Sequence, residues 1–241
     1  MKYNSILILV ILLTSCQITE TIHLNADGSG TIEVVTFRDE NSYMQLAGEN
    51  YSKEEKFQDT TYIFSEYIKK YNETFVKYTP EEQKLFQQYS NVKVHLKKSS
   101  FEKEFRDVFS LNFNKISEVP DLYKTENYAD DIKYNYALTA ENHYYKVAYA
   151  FEGKVFKRLV SITNETELQK AKEEFKKIDP KYASLKLTQL YTLKYHFSGK
   201  IKSVSNPKGV ISSDKKSVVV EFQLSDCLQN PESTSLEIVL E

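Results

Sequence analysis

The segment from Phe105 alternates without a break: Phe105, Asp107, Phe109, Leu111 and Phe113 fall on one side, and Arg106, Ser110, Asn112 and Asn114 on the other. A period of two places every second side chain on one face of an extended chain, so this pattern fits a half-buried strand and no helix. The pattern recurs along the chain. Thr19 to Leu24 alternates towards Asp27-Gly28-Ser29-Gly30, and Thr31 to Phe37 continues beyond it, which predicts a hairpin with an Asp-Gly turn. His143 to Phe151 and Lys154 to Ile162 flank Glu152-Gly153 and predict a second hairpin. Asn91 to Leu96, Leu187 to Phe197, Ile201 to Val204, Val218 to Leu224 and Ser235 to Leu240 read as further strands.

Helical signals lie between them. In Thr61 to Tyr78, the residues Ile63, Tyr67, Tyr71, Phe75 and Tyr78 recur at helical spacing, although the start of that stretch suits an extended chain as well. Thr79-Pro80-Glu81-Glu82 combines a capping hydroxyl, a first-turn proline and the carboxylate that closes a capping box. Asn164 with Glu167 opens another helix, with Leu168, Ala171, Phe175 and Ile178 on its apolar face and Asp179-Pro180 at its expected end. Asn41 to Glu49 suits a short helix, and Ile116 to Tyr123 a short helix or turn. The polar stretch Asn127 to Glu141 reads as a mobile connection. Hairpins segregated from helices predict an α+β fold, a mainly antiparallel sheet built from hairpins and packed by several helices. No repeat or long Gly/Ser/Pro linker interrupts the chain, so residues 16–241 are expected to form a single α+β domain.

The beginning of the chain has a different character. Lys2 is followed by the apolar run Ile6 to Leu13 and then by Leu13-Thr14-Ser15-Cys16. This resembles a secretory signal ending in a lipobox, the cleavage and acylation signal of bacterial lipoproteins. The run is much shorter than the roughly 20 residues of a membrane-spanning helix. The resemblance implies that residues 1–15 are a lipoprotein signal peptide and that Cys16 is the lipid attachment site, carrying palmitate-type acyl chains. Each buried methylene contributes about 0.8 kcal/mol, so two or more chains hold firmly where one holds weakly. With the first strand expected to begin near Glu20, Gln17-Ile18-Thr19 would form a tether of about 10–15 Å.

The composition narrows the remaining functions. Charged residues make up 27% and hydrophobic residues 41%, with a formal net charge of −2, so no basic field exists to attract nucleic acid. Lys97, Lys98 and Lys103 are diluted by Glu102 and Glu104. Tryptophan is absent and the 18 tyrosines suit sheet packing. With Cys16 lipidated, Cys227 has no disulfide partner and is expected to be a small buried hydrophobe. His23, His95, His143 and His196 fall in separate expected strands without metal-ligand spacing, and no nucleophile elbow, phosphate loop or dinucleotide fingerprint is present. Asp107, Glu118, Asp130 and Asp131 are the carboxylates open to a site assembled by the fold. Asn25, Asp27 and Ser29 occupy the first three ligand positions of a calcium loop, but the twelfth position is Thr36 instead of a bidentate Glu. The expectation is therefore a hairpin turn, with no catalytic residue, cofactor or metal assigned.

Taken in order, Cys16, Thr19-Glu20-Thr21-Ile22-His23-Leu24-Asn25-Ala26-Asp27-Gly28-Ser29-Gly30, Pro80-Glu81-Glu82-Gln83, Tyr195 to Asn206 and Leu236 to Glu241 resemble an uncharacterised Bacteroidota-type lipoprotein family. The C-terminal half also resembles LppM-like lipoprotein domains. The resemblance implies a membrane-anchored envelope lipoprotein and brings no catalytic residue. No acidic run follows Cys16, which points to the outer membrane facing the periplasm. The expected role is a non-enzymatic binding or structural module with an envelope protein partner. The alternatives are a periplasmic hydrolase with a fold-assembled site and a carrier with an apolar cavity of about 300–1,000 Å³.

Overall fold

Alternation along the strands is realised in two sheets. The structure, a computed structural model, describes residues 16–39, 44, 57–99, 101–102, 104–185 and 189–241. The strands of the larger sheet are β1 (Cys16–Leu24), β2 (Gly30–Asp39), β3 (Phe57–Ile63), β4 (Lys93–Ser99), β5 (Glu104–Phe113), β8 (Leu190–Phe197), β10 (Val210–Ile211) and β11 (Ser217–Gln223), in the order β10-β11-β8-β1-β2-β5-β4-β3. The smaller sheet contains β6 (Tyr145–Glu152), β7 (Val155–Ile162), β9 (Ile201–Val204) and β12 (Leu236–Leu240), in the order β6-β7-β12-β9. The helices are α1 (Phe64–Lys70), α2 (Asn72–Phe75), α3 (Pro80–Gln88), α4 (Thr125–Tyr134), α5 (Glu165–Leu185) and α6 (Leu224–Gln229). The fold is α+β. Pairing among the described strands is antiparallel except where β1 runs parallel to β8.

Register makes one face of the large sheet apolar. Ile22 lies opposite Ile32 on one side and Tyr195 on the other, and Val34, Phe109 and Val94 continue the buried set across β2, β5 and β4. These residues join one contiguous core with Phe156, Val160, Leu236 and Ile238 of the small sheet and with Phe64, Phe75, Phe86 and Tyr128 of the helices. The Phe156 ring meets Tyr195 and Phe197 edge-on at 5.2 and 5.6 Å. Phe86 makes similar edge contacts with Tyr78 and Tyr128 at 4.8 and 5.3 Å. Offset and edge geometries of this kind add a little to the stabilisation that burial itself gives.

Between the two sheets lies a buried ion pair. Glu20 of β1 is 0% exposed and Arg158 of β7 is 1% exposed. The Arg158 Nε donates to Glu20 at 3.3 Å, and Nη1 donates to the Thr234 carbonyl at 3.0 Å and to its hydroxyl at 2.8 Å. Tyr195 donates to Glu20 Oε1 and Tyr123 to Oε2, each at 2.6 Å. Because Tyr123 gives its proton to Glu20, its contact with Tyr191 must be a bond donated by Tyr191, which in turn accepts from Arg158 Nη2. The circuit from guanidinium through two phenols to carboxylate is therefore closed. Burial works against the charge on Arg158, but Glu20 and the surrounding phenol oxygens outweigh it and hold the guanidinium protonated.

Several expectations are corrected. Strand β1 begins at Cys16, which lies opposite Arg38, so Gln17-Ile18-Thr19 is sheet and not a tether. Asn127 to Glu141 is largely structured: α4 buries Thr125, Tyr128, Ala129 and Ile132, a helical spacing in which tyrosine and threonine take core positions. Asn135 ends α4 in the left-handed conformation at φ 56°. Helix α5 runs on past Pro180 to Leu185, since a proline forfeits one backbone bond without forcing a stop. The stripe from Thr61 splits into the end of β3 followed by α1 and α2. The Thr79 capping box forms as expected, with Glu82 N–H donating to the hydroxyl and Thr79 N–H to the Glu82 carboxylate. The expected helix from Asn41 to Glu49 lies outside the described residues apart from Met44.

Replacing Glu20 by Gln is expected to lower the unfolding free energy by about 3–5 kcal/mol, because it strands a desolvated guanidinium. Replacing both partners by apolar residues, Glu20→Leu with Arg158→Met, should recover most of that loss. Urea unfolding checks both; a single-variant loss below about 1 kcal/mol, the level of an exposed pair, would contradict a buried clamp.

Candidate functional site

The face of the large sheet opposite the core carries its chemistry. Alternation that buries Ile22, Ile32, Phe109 and Val94 turns their neighbours outward. Thr21, Glu33, Ser110 and Lys93 then form one row across β1, β2, β5 and β4. Thr19, Val35, Val108, His95 and Thr61 form the next, followed by Phe37, Arg106, Lys97 and Asp59. A shallow depression of about 600 Å³ runs over these rows. A smaller one of about 250 Å³ shares Glu33 and Ser110 and extends over Thr21, His23, Thr31 and Asn112.

Several of the polar side chains in this groove are paired. His95 Nε2 lies 2.8 Å from Asp59 Oδ1. Arg106 Nε lies 2.9 Å from Glu104, and Lys97 contacts Glu102 and lies 3.8 Å from Glu104. Asp59 orients His95 as the acid of a triad orients its base. Among the described residues, however, no hydroxyl or thiol hydrogen-bonds to that imidazole. The arrangement offers donors and acceptors of both signs on an open sheet.

Parallel pairing of β1 with β8 sets His23 opposite His196, and their rings stack at 4.4 Å with 7° between planes. Partial burial, then the neighbouring His23, holds the His196 imidazole below its ordinary pKa. The two residues are 173 positions apart, so only the sheet order brings them together. Among the described residues, no group of three or more His, Cys, Asp or Glu is placed to hold a metal ion.

The residues singled out in the sequence take distinct places. Asn25, Asp27 and Ser29 form the β1–β2 turn and bond to one another. Asn25 Nδ2 donates to Ser29 Oγ at 3.0 Å, while Ser29 donates to Asp27 Oδ1 through its N–H at 3.0 Å and its hydroxyl at 2.6 Å. These bonds hold the Asp27 carboxyl below its usual range, and Gly28 supplies the φ of 85° that the turn requires. Strands flank this loop on both sides where a calcium loop has helices. Cys227 is buried in α6, and burial pushes its thiol up to about 12, so it is a protonated apolar side chain at neutral pH.

Of the four carboxylates, Asp131 accepts from the Thr139 N–H at 3.0 Å and the Ala140 N–H at 3.3 Å and so fastens the turn after α4. Glu118 lies exposed, 3.8 Å from Lys115. Asp107 and Asp130 share their surroundings with Glu126, which sequence reasoning missed. Glu126 is pushed up to about 7, first by burial and then by the Asp107 charge. Burial also raises Asp107, whose Oδ1 has no hydrogen-bond partner among the described residues, and Asp130. The intervening Lys98 lies 4.0 Å from Glu126.

No family model matches the chain, and no curated protein matches it. Among solved structures, the NMR structure of the folded domain of LppM from Mycobacterium tuberculosis is similar over 94% of this chain and 90% of that one, with a TM-score of 0.41 and 8% identity.

The carboxylate cluster generates a pH dependence. Glu126 moves from the usual 4.5 to about 7, so within that window this carboxyl is more protonated folded than unfolded, and its contribution to stability falls as pH rises. Glu126→Gln is expected to flatten this slope and to raise stability at pH 8 by about 1 kcal/mol, a value discounted for solvent screening of a half-exposed side chain. Thermal unfolding between pH 5 and 8 measures it; an unchanged slope in the variant would contradict the assignment.

Proposed function

We propose that this chain is an envelope lipoprotein held to a bilayer by acyl chains on Cys16, and that its body is a non-enzymatic binding module. The observation that carries the reading is the sequence Leu13-Thr14-Ser15-Cys16 at the end of an apolar run, with Cys16 lying in β1 opposite Arg38. Residues 1–15 act as the cleaved signal, and the lipid continues directly into the sheet. A strand rises about 3.3 Å per residue, so the nine residues of β1 extend about 30 Å from the lipid. The polar groove over β1, β2, β5, β4 and β3 is then the surface offered to an envelope protein partner, in the outer membrane and facing the periplasm. Its paired charges and row of hydroxyl and imidazole groups favour a polar partner held by hydrogen bonds. Among the described residues, no helix is long and apolar enough to cross a membrane.

Cys16→Ser tests the anchor. The wild-type chain is expected in the membrane fraction and in the detergent phase on phase separation, with mass spectrometry showing acyl groups on Cys16. The variant is expected in the aqueous phase. A variant that stays with membranes, or a wild-type Cys16 without acyl groups, would overturn the assignment.

A further inference from the structure

We propose that the end of the large sheet at which Cys16 emerges is a second membrane contact, in which Phe57 and Phe101 enter the bilayer interface. The inference rests on the lipid-anchor reading and adds a site to it. Register fixes the placement. Cys16 lies opposite Arg38, Arg38 opposite Phe105, Phe105 opposite Lys98 and Lys98 opposite Gln58, a single row across β1, β2, β5, β4 and β3. Phe57 lies one residue beyond that row, paired with Ser99. Phe101 stands in the turn joining β4 to β5, also beyond it.

These are the two most exposed large hydrophobic residues among those described, Phe101 at 85% and Phe57 at 75%. Isolated exposed apolar residues are ordinary on any surface. Here the two extreme cases fall together at the end of the sheet that bears the acylated residue. Five strands spaced about 4.8 Å apart set Phe57 roughly 20 Å along the sheet edge from Cys16, so lipid and aromatics form two separated points of attachment. Two points fix a tilt that a single lipid leaves free.

The charges nearby decide what kind of membrane contact this is. Lys97 contacts Glu102 and Glu104, Arg106 pairs with Glu104, and Lys98 approaches Glu126. The Arg106 guanidinium lies over Phe37 at 5.6 Å and that of Arg38 over Phe105 at 4.0 Å. A ring contact leaves a guanidinium charged, but carboxylates lie beside Lys97, Lys98 and Arg106, so among the described residues little surplus positive field remains. The contact therefore depends on apolar insertion, and it should form on neutral lipid as readily as on anionic lipid. Held by two points along its lower edge, the sheet keeps that edge against the bilayer and its tilt within its own plane is fixed.

Environment-sensitive labels on the lipidated chain that begins at Cys16 test this. Single variants Phe101→Cys, Phe57→Cys and Val210→Cys would carry a nitrobenzoxadiazole probe, with Cys16 blocked by lipid and Cys227 buried. Val210 is 70% exposed and lies at the level of Thr21, five residues up β1 from Cys16. The proteins are reconstituted into phosphatidylcholine vesicles, with and without phosphatidylglycerol, and floated. The expected result is a blue shift at 101 and 57, quenched by shallow spin-labelled lipid and equal in both vesicles, with the 210 probe still in water. Floating protein whose 101 and 57 probes stay in water overturns this contact and leaves the lipid anchor standing. Shielding at 101 that spin-labelled lipid does not quench places a second copy of the chain there and overturns it too. Protein that fails to float removes both the anchor and the contact.

Discussion

A glutamate and an arginine with almost no exposure must either be fully paired or destabilise the fold, and this requirement organises the molecule. Removing an ion from water carries a penalty of several kcal/mol, offset only when geometry and hydrogen bonding are complete. Glu20 meets the condition with Tyr123, Tyr195 and Arg158; Arg158 meets it with Glu20, Tyr191 and Thr234. These partners come from β1, β7, β8 and two connecting turns, across positions 20 to 234. The pair thus links the two sheets and the crossing segments at one point.

The same geometry explains the two faces of the large sheet. The core side holds Ile22, Tyr195 and Phe109, and the charged circuit is confined to the seam with the small sheet. The other side is left free to be polar across β1 to β5. Strict alternation makes the groove over Glu33, His95 and Asp59 a consequence of what is buried behind it. The large sheet therefore has a packed back and a chemically varied front.

Local signals were legible in the sequence because they arise from neighbours. The Asp27-Gly28 turn, the alternation of Phe105 to Phe113, the Glu152-Gly153 hairpin and the Thr79 capping box all follow from backbone preferences over a few residues. Helix α4 was obscured because its buried face is made of Thr125, Tyr128, Ala129 and Ile132, in which only one residue is a large aliphatic. Pro180 misled because a proline inside a helix reads as a stop when it is only a lost bond. The starting point of β1 misled because Gln17 and Thr19 are polar, and their place in the sheet depends on partners in β2 and β8. The groove was harder still. His23 and His196, or Asp59 and His95, become neighbours only through strand order. Glu20 and Arg158 gave no signal, since a charged residue in an alternating strand reads as outward-facing until the second sheet is known.

Native-state hydrogen exchange across both sheets tests the clamp most directly. The account predicts that the amides of Val147, Phe156 and Ile238 in the small sheet open with the same free energy as those of Ile22 and Leu193 in the large one, in a single global step. Exchange of the small-sheet amides through a lower-energy opening, with the large sheet still protected, would contradict it.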